Sequence, residues 1–233
     1  MRIPLATVVA FLLVVAPAAA QAIATATPNQ AGKGSQLHLE LDATQAPVSG
    51  RLPTSTTLSV QAGTRFDAKA VLRRCTAAQA QQDACPANSR VGAALVTARV
   101  YGRSYPVPLR LFLAKPQQAG DLAGVAAVTT VLGSPQSAIG RVVKTTVAPF
   151  GFQVILPSPG DLSGFQVTFE RFTADIGTSR VITVKRKQRK PKKVRHHLIT
   201  NPKTCSAPWA SRAAFTFADG TTALLDAPVA CVP

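Results

Sequence analysis

Thirteen consecutive residues, Lys185 to His197, contain eight Lys or Arg and two His. Their type and spacing imply a chemistry more plainly than any other stretch of this chain. Lys185, Arg186, Lys187, Arg189, Lys190, Lys192, Lys193 and Arg195 carry half of a formal net charge of +16. Like charges packed this densely repel one another and destabilise a fold unless anions or solvent intervene. The run therefore reads as a binder of polyanions: anionic wall polymer, acidic lipid headgroups or extracellular nucleic acid. Such binding is salt-sensitive, because multivalent contacts release counterions. No Phe, Tyr or Trp interrupts the run, so it has little platform for base stacking, and a dedicated nucleic-acid protein is not expected. The plain alternative is a solvated loop that keeps a basic protein soluble.

Other reactive residue types are sparse. The three histidines are His38, His196 and His197. His38 alternates with leucines and shares a strand side with Glu40, which reads as a surface pair. His196 and His197 are adjacent, so on a strand they face opposite ways and cannot chelate one metal from one face. Serine hydrolysis needs a nucleophile, a base and an orienting acid. No G-x-S-x-G elbow is present; Ser134 and Ser163 lie in Gly133-Ser134-Pro135 and Leu162-Ser163-Gly164 turns. H-E-x-x-H, phosphate-loop and G-x-G-x-x-G patterns are also missing. Ten carboxylates are scattered along the chain; folding could bring Asp161 towards Glu170, but nothing local marks them as an acid/base pair. No catalytic residue, cofactor site or metal site is expected.

The elements that hold the basic run begin with an export signal. Arg2 precedes an apolar stretch from Ile3 to Ala16, Pro17 breaks it, and Ala18-Ala19-Ala20-Gln21-Ala22 follows. This is the charged, apolar and small-residue order of a secretory leader, with cleavage after Ala20 or Ala22 each satisfying small-x-small. The stretch is 14 residues long, short of the roughly 20 that span a bilayer. Residues 1–22 are read as leader, 23–35 as a flexible segment rich in Ala, Thr, Gly, Pro and Gln, and 36–233 as the folded domain. Hydrophobic residues make up 46% and charged ones 15%, which suffices to bury a core. Four cysteines, an even number behind a leader, read as disulfides. Three pairings are possible, the nearest-neighbour one being Cys75–Cys85 with Cys205–Cys231. A four-thiolate metal site would bring close C-x-x-C pairs, which are absent.

Short alternating segments recur along the folded part. Leu37, Leu39 and Leu41 alternate with His38, Glu40 and Asp42, a half-buried strand. Further strands are expected at Thr56 to Val60, Phe66 to Leu72, Val91 to Tyr101, Val107 to Leu113, Leu122 to Leu132, Ala138 to Val147, Phe150 to Leu156, Phe165 to Phe172, Arg180 to Val184, Ala213 to Phe217 and Thr222 to Leu225. Gly102-Arg103-Ser104 and Ala218-Asp219-Gly220 read as hairpin turns. Phe165, Val167, Phe169 and Arg171 share one parity. Only Thr76 to Asp83 suggests a helical turn. Such spacing predicts an all-β protein, a β-sandwich of short antiparallel strands, with a possible subdomain boundary at Gly133 to Gln136 or Pro157 to Asp161. The basic run, between Val181-Ile182-Thr183-Val184 and Leu198-Ile199-Thr200, is expected as a hairpin loop over 185–197 centred on Pro191. Trp209, the single tryptophan, is expected to pack near a disulfide.

Two segments carry a resemblance. One is Leu72-Arg73-Arg74-Cys75 followed by Ala84-Cys85-Pro86-Ala87-Asn88-Ser89-Arg90-Val91-Gly92-Ala93-Ala94. The other is Leu198-Ile199-Thr200-Asn201-Pro202-Lys203-Thr204-Cys205, continuing through Phe215-Thr216-Phe217-Ala218-Asp219-Gly220-Thr221 to Cys231. Together they resemble secreted β-rich proteins of actinobacteria with C…CP-A-x-S-x-V/I-G-x-A and T-N-P-x-T/S-C motifs. The resemblance implies a secreted or surface module with no known chemistry, and it supports the pairs Cys75–Cys85 and Cys205–Cys231. The basic insertion before Leu198 departs from the pattern. The expectation is a secreted, non-enzymatic extracellular or cell-surface module that adheres to anionic wall polymer or an acidic lipid surface. Two alternatives stay open: a structural envelope module with an incidental basic loop, and a secreted hydrolase with a dispersed site.

Overall fold

In the computed structural model, residues 21–45, 47–48, 50–131, 133–157, 167–186 and 189–233 are described. Residues 1–20 of the expected leader, with Asp161, Ser163 and Phe165, lie outside them. The chain is all-β. Its strands are β1 (Gln21–Thr27), β2 (Gly34–Asp42), β3 (Ser55–Gln61), β4 (Arg65–Phe66), β5 (Arg90–Val100), β6 (Arg103–Ala114), β7 (Ala123–Val131), β8 (Ser134–Lys144), β9 (Phe150–Pro157), β10 (Val167–Ile176), β11 (Ser179–Arg186), β12 (Arg189–His197), β13 (Ile199–Thr200), β14 (Ser211–Thr216) and β15 (Thr222–Asp226). Among the described residues one short α-helix, α1 (Ala77–Gln81), lies inside the first cysteine loop. Thr76 caps it: its hydroxyl accepts from the Gln79 N–H, and the Gln79 side chain accepts from the Thr76 N–H.

Among the described residues, thirteen strands join in one antiparallel sheet, in the order β15-β14-β3-β9-β8-β7-β6-β5-β10-β2-β13-β4, with β1 on β2. The sheet folds over on itself as a sandwich. Phe169 of β10 meets Phe215 of β14 at 6.1 Å between ring centres, and Phe66 of β4 meets Phe152 of β9 at 6.0 Å, although each pair is far apart in sheet order. Alternation explains the core. β14 buries Ser211, Ala213 and Phe215, and β15 buries Ala223 and Leu225, as period-two strands with one wet face should. β1 and the edge strand β15 line a shared recess at Gln21, Ala22, Ile23, Leu224, Leu225 and Asp226.

Several expectations change. The segment 23–35, read as flexible, contains most of β1, and Gln21 and Ala22 pair with Asp42 and Leu41. A leader boundary after Ala22 would fall inside that strand. Ala22, Ala24 and Ala26 are its inward residues, and alanine is too weak a hydrophobe to announce a strand by composition. The Phe66–Leu72 strand is in fact two residues of β4 followed by a 3₁₀ turn at Ala68–Ala70, capped by the Asp67 carboxylate accepting from the Lys69 N–H. The β5–β6 turn is Tyr101-Gly102, both at positive φ (47° and 76°), as a two-residue primed turn requires; Arg103 and Ser104 already belong to β6. Pairing shifts between Phe169 and Arg171, so a bulge at Glu170 sends Phe169, Phe172, Ala174 and Ile176 inward and leaves Arg171 outside. Arg171 therefore does not share the side of Phe169. Ser134 to Gln136, where a subdomain boundary was considered, pair with Val131 to Thr129 in the β7–β8 hairpin of the main sheet.

Both disulfides are formed, Cys75–Cys85 and Cys205–Cys231, and no cysteine is free. Trp209 is buried in the main core, to which Cys205 and Cys231 also pack, and its indole N–H donates to the Thr204 carbonyl at 3.0 Å. Just before Pro202 ends this segment's pairing, the buried Asn201 ties three strands' ends together. Its carbonyl oxygen accepts from the Ser35 hydroxyl at 2.6 Å, and its amide donates to the Pro28 and Gln30 carbonyls, each at 2.9 Å.

Candidate polyanion-binding hairpin

The basic run folds as a ribbon outside the main sheet. Among the described residues β11 and β12 pair only with each other, from Ser179↔His197 to Arg186↔Arg189. Val181, Ile182, Thr183 and Val184 are all β-branched, which favours the extended strand. The pairing is described as far as Arg186↔Arg189; Lys187 and Gln188 lie outside the described residues. Pro191, expected at the centre, sits within β12 instead. The pairing shifts between Val184 and Arg186, and a bulge on a two-stranded ribbon accepts a residue that cannot donate to the ladder.

The foot of the ribbon is clamped to the body. The Leu198 N–H donates to the Thr178 carbonyl at 2.9 Å, and Leu198 and Ile199 are buried in the core. His196 Nδ1 lies 2.6 Å from an Asp67 carboxylate oxygen, and the same carboxyl accepts from the Lys69 N–H at 2.9 Å. Burial works against ionising Asp67, yet the hydrogen bonds from His196 and Lys69 outweigh it and hold the carboxyl below its usual range. The His197 ring lies over Gly34, and a Cβ at Gly34 would fall inside that ring. Arg180 reaches the Val71 carbonyl at 3.5 Å. These anchors were invisible in the sequence, because Asp67 and His196 are 129 positions apart and no local motif links them.

Beyond the foot, Lys192, Lys193 and Arg195 are exposed. Arg195 donates to the Ser179 hydroxyl at 3.3 Å, a neutral partner. Among the described residues no carboxylate pairs with these three cations. The side chains of Lys185, Arg186, Lys187, Arg189 and Lys190 lie outside the described residues. The carboxylates are engaged elsewhere: Asp42 with Arg171, Asp83 with Arg110, Asp121 with Arg141, Glu170 with Arg99, Asp219 with Arg51 and Asp226 with Arg212. Asp67 and Asp175 face His196 and His38. His38 thus partners Asp175 of β10, at 2.8 Å, rather than Glu40.

Of the residues weighed for catalysis, Asp161 and Ser163 lie outside the described residues. Glu170 lies 2.5 Å from Arg99, and Ser134 is exposed at the start of β8. Among the described residues no three His, Cys, Asp or Glu gather as a metal site, and no helix is long and apolar enough to cross a membrane. No family model, curated protein or solved structure matches this chain.

Proposed function

We propose that the protein is a secreted, non-enzymatic β-sandwich module that adheres to anionic material at or outside the cell surface through the β11–β12 ribbon. One observation carries this reading. Seven of the ten carboxylates pair with Arg or His outside the ribbon and Asp67 pairs with His196 at its foot, so among the described residues no carboxylate offsets the ribbon's exposed cations Lys192, Lys193 and Arg195. An exposed, rigidly footed strip of cations attracts polyanions and loses affinity steeply with salt. The pair of disulfides supports an oxidising compartment, in keeping with the leader. Cleavage after Ala20, rather than Ala22, leaves all of β1 to pair with β2.

Retention on an anionic resin or isolated wall fraction across a salt series tests adhesion. A variant with Lys and Arg between 185 and 195 replaced by Gln should elute at markedly lower salt. Elution together with wild type would leave the ribbon incidental and refute adhesion through it. N-terminal analysis of the exported product should find Gln21 first, and a product retaining Met1 would overturn the secretory reading.

A further inference from the structure

The two faces of the ribbon differ. Directly paired residues on an antiparallel ribbon share a face. One face therefore carries Arg180 with His196, Ile182 with Val194, and Val184 with Lys192. The other carries Ser179 with His197, Val181 with Arg195, and Thr183 with Lys193. On the first face Ile182, Val194 and Val184 form an aliphatic column. Ile182 and Val194 are half-buried, Val184 is 41% exposed, and Lys192 is exposed beside it. The same face meets the body at its foot, through His196 to Asp67 and Arg180 to the Val71 carbonyl. Immediately after Val71 come Leu72, 56% exposed, and the exposed Arg73. Exposed aliphatic and cationic side chains thus occur both on the body beside the ribbon's foot, at Leu72 and Arg73, and on the ribbon at the Val184–Lys192 pair.

A hydrophilic polymer gains little from Leu72 and Val184. A lipid bilayer gains from both kinds of group: aliphatic side chains enter the boundary between headgroups and acyl chains, while cations meet the phosphates. Resting on the adhesive reading above, we infer that the ribbon's partner is a bilayer surface rich in anionic phospholipid. The bilayer meets the outer end of this face, beyond its contact with the body, with Leu72 and Val184 seated at the acyl boundary and Arg73 and Lys192 at the phosphates.

Co-sedimentation of the exported chain with vesicles tests this. One set is phosphatidylcholine alone, and the other is phosphatidylcholine and phosphatidylglycerol in equal parts. Dextran sulfate resin serves as an anionic surface without acyl chains. The Leu72→Ser/Val184→Ser double variant should bind the mixed vesicles about tenfold more weakly, given about 25 cal/mol per Å² of apolar surface, and should keep wild-type retention on the resin. Val181→Ser, on the opposite face, should match wild type on both. Unchanged vesicle binding by the double variant, or wild type that binds resin but not mixed vesicles, overturns the lipid inference and leaves a soluble polyanion as partner. If Lys192→Gln/Lys193→Gln/Arg195→Gln matches wild type on both supports, the adhesive reading itself fails.

Discussion

Replacing Asn201 with Ala removes three hydrogen bonds at one buried point. The Ser35 hydroxyl loses its acceptor, and the Pro28 and Gln30 carbonyls lose their donor. A typical internal hydrogen bond contributes about 1 kcal/mol net, and a buried group left unpaired costs about 1–3 kcal/mol. Asn201 and Ser35 are 3% and 7% exposed, so solvent offers little replacement. The expected loss is therefore about 3–4 kcal/mol. Urea unfolding should show it as a lower midpoint at unchanged slope. Asn201→Asp separates the roles: it keeps an acceptor for Ser35 but sets a carboxylate against two carbonyl oxygens. It should be at least as destabilising as Ala, and Ser35→Ala should cost only about 1 kcal/mol. A loss below about 1 kcal/mol for Asn201→Ala, or an Asp variant more stable than the Ala variant, would refute the clamp.

Two further outcomes follow from the same structure. On the chain-entropy account, Cys205→Ala/Cys231→Ala, whose bridge spans 26 residues, should cost about 3.5 kcal/mol, and Cys75→Ala/Cys85→Ala, spanning 10, about 2.7 kcal/mol. Chemical denaturation of the oxidised proteins checks the order, and a larger loss at the shorter loop would contradict it. The side chain of Asp121 has no accessible surface. Hydrogen bonds from Arg141 hold its carboxyl below the usual range against the opposing effect of burial, with the Gln118 and Gln117 N–H groups adding to them. A carboxyl depressed in the folded state stabilises fully above its unfolded pKa of about 3.9 and loses that contribution as pH falls through the folded value. Asp121→Asn should thus be less stable at neutral pH and show a flatter acid limb below about pH 4; parallel acid limbs for the two proteins would exclude this role.

Strands with strong apolar alternation were legible from the residues alone. Leu37, Leu39 and Leu41 mark β2, and Phe215 with Leu225 mark the last hairpin, close to the observed bounds. β1 was not legible, because its inward residues are alanines and its partner strand supplies the large side chains. The parity error at Arg171 has a related cause: a bulge is a property of two paired strands, and one strand's alternation carries no sign of it. The basic ribbon was legible as charge, since eight cations in thirteen positions need no partner to be seen. Its foot was not, because Asp67, Gly34 and Val71 reach it only through tertiary contacts. Asn201 was visible as part of a motif. Its role as a clamp depends on carbonyls more than 170 positions earlier in the chain.

The order of strands in the sheet sets a problem of timing. β2 takes β1, its neighbour in the chain, on one side, but on the other it pairs with β10, so that Leu41 meets Phe172. β3 likewise lies between β9 and β14. A chain threaded N-terminus first through a narrow channel would deliver β2 and β3 long before those companions emerge. Both would wait with bare backbone edges, and such non-local pairing is slow to form. The sheet can be completed only when nearly the whole polypeptide has arrived, because β3 lacks one of its two neighbours until β14 is available.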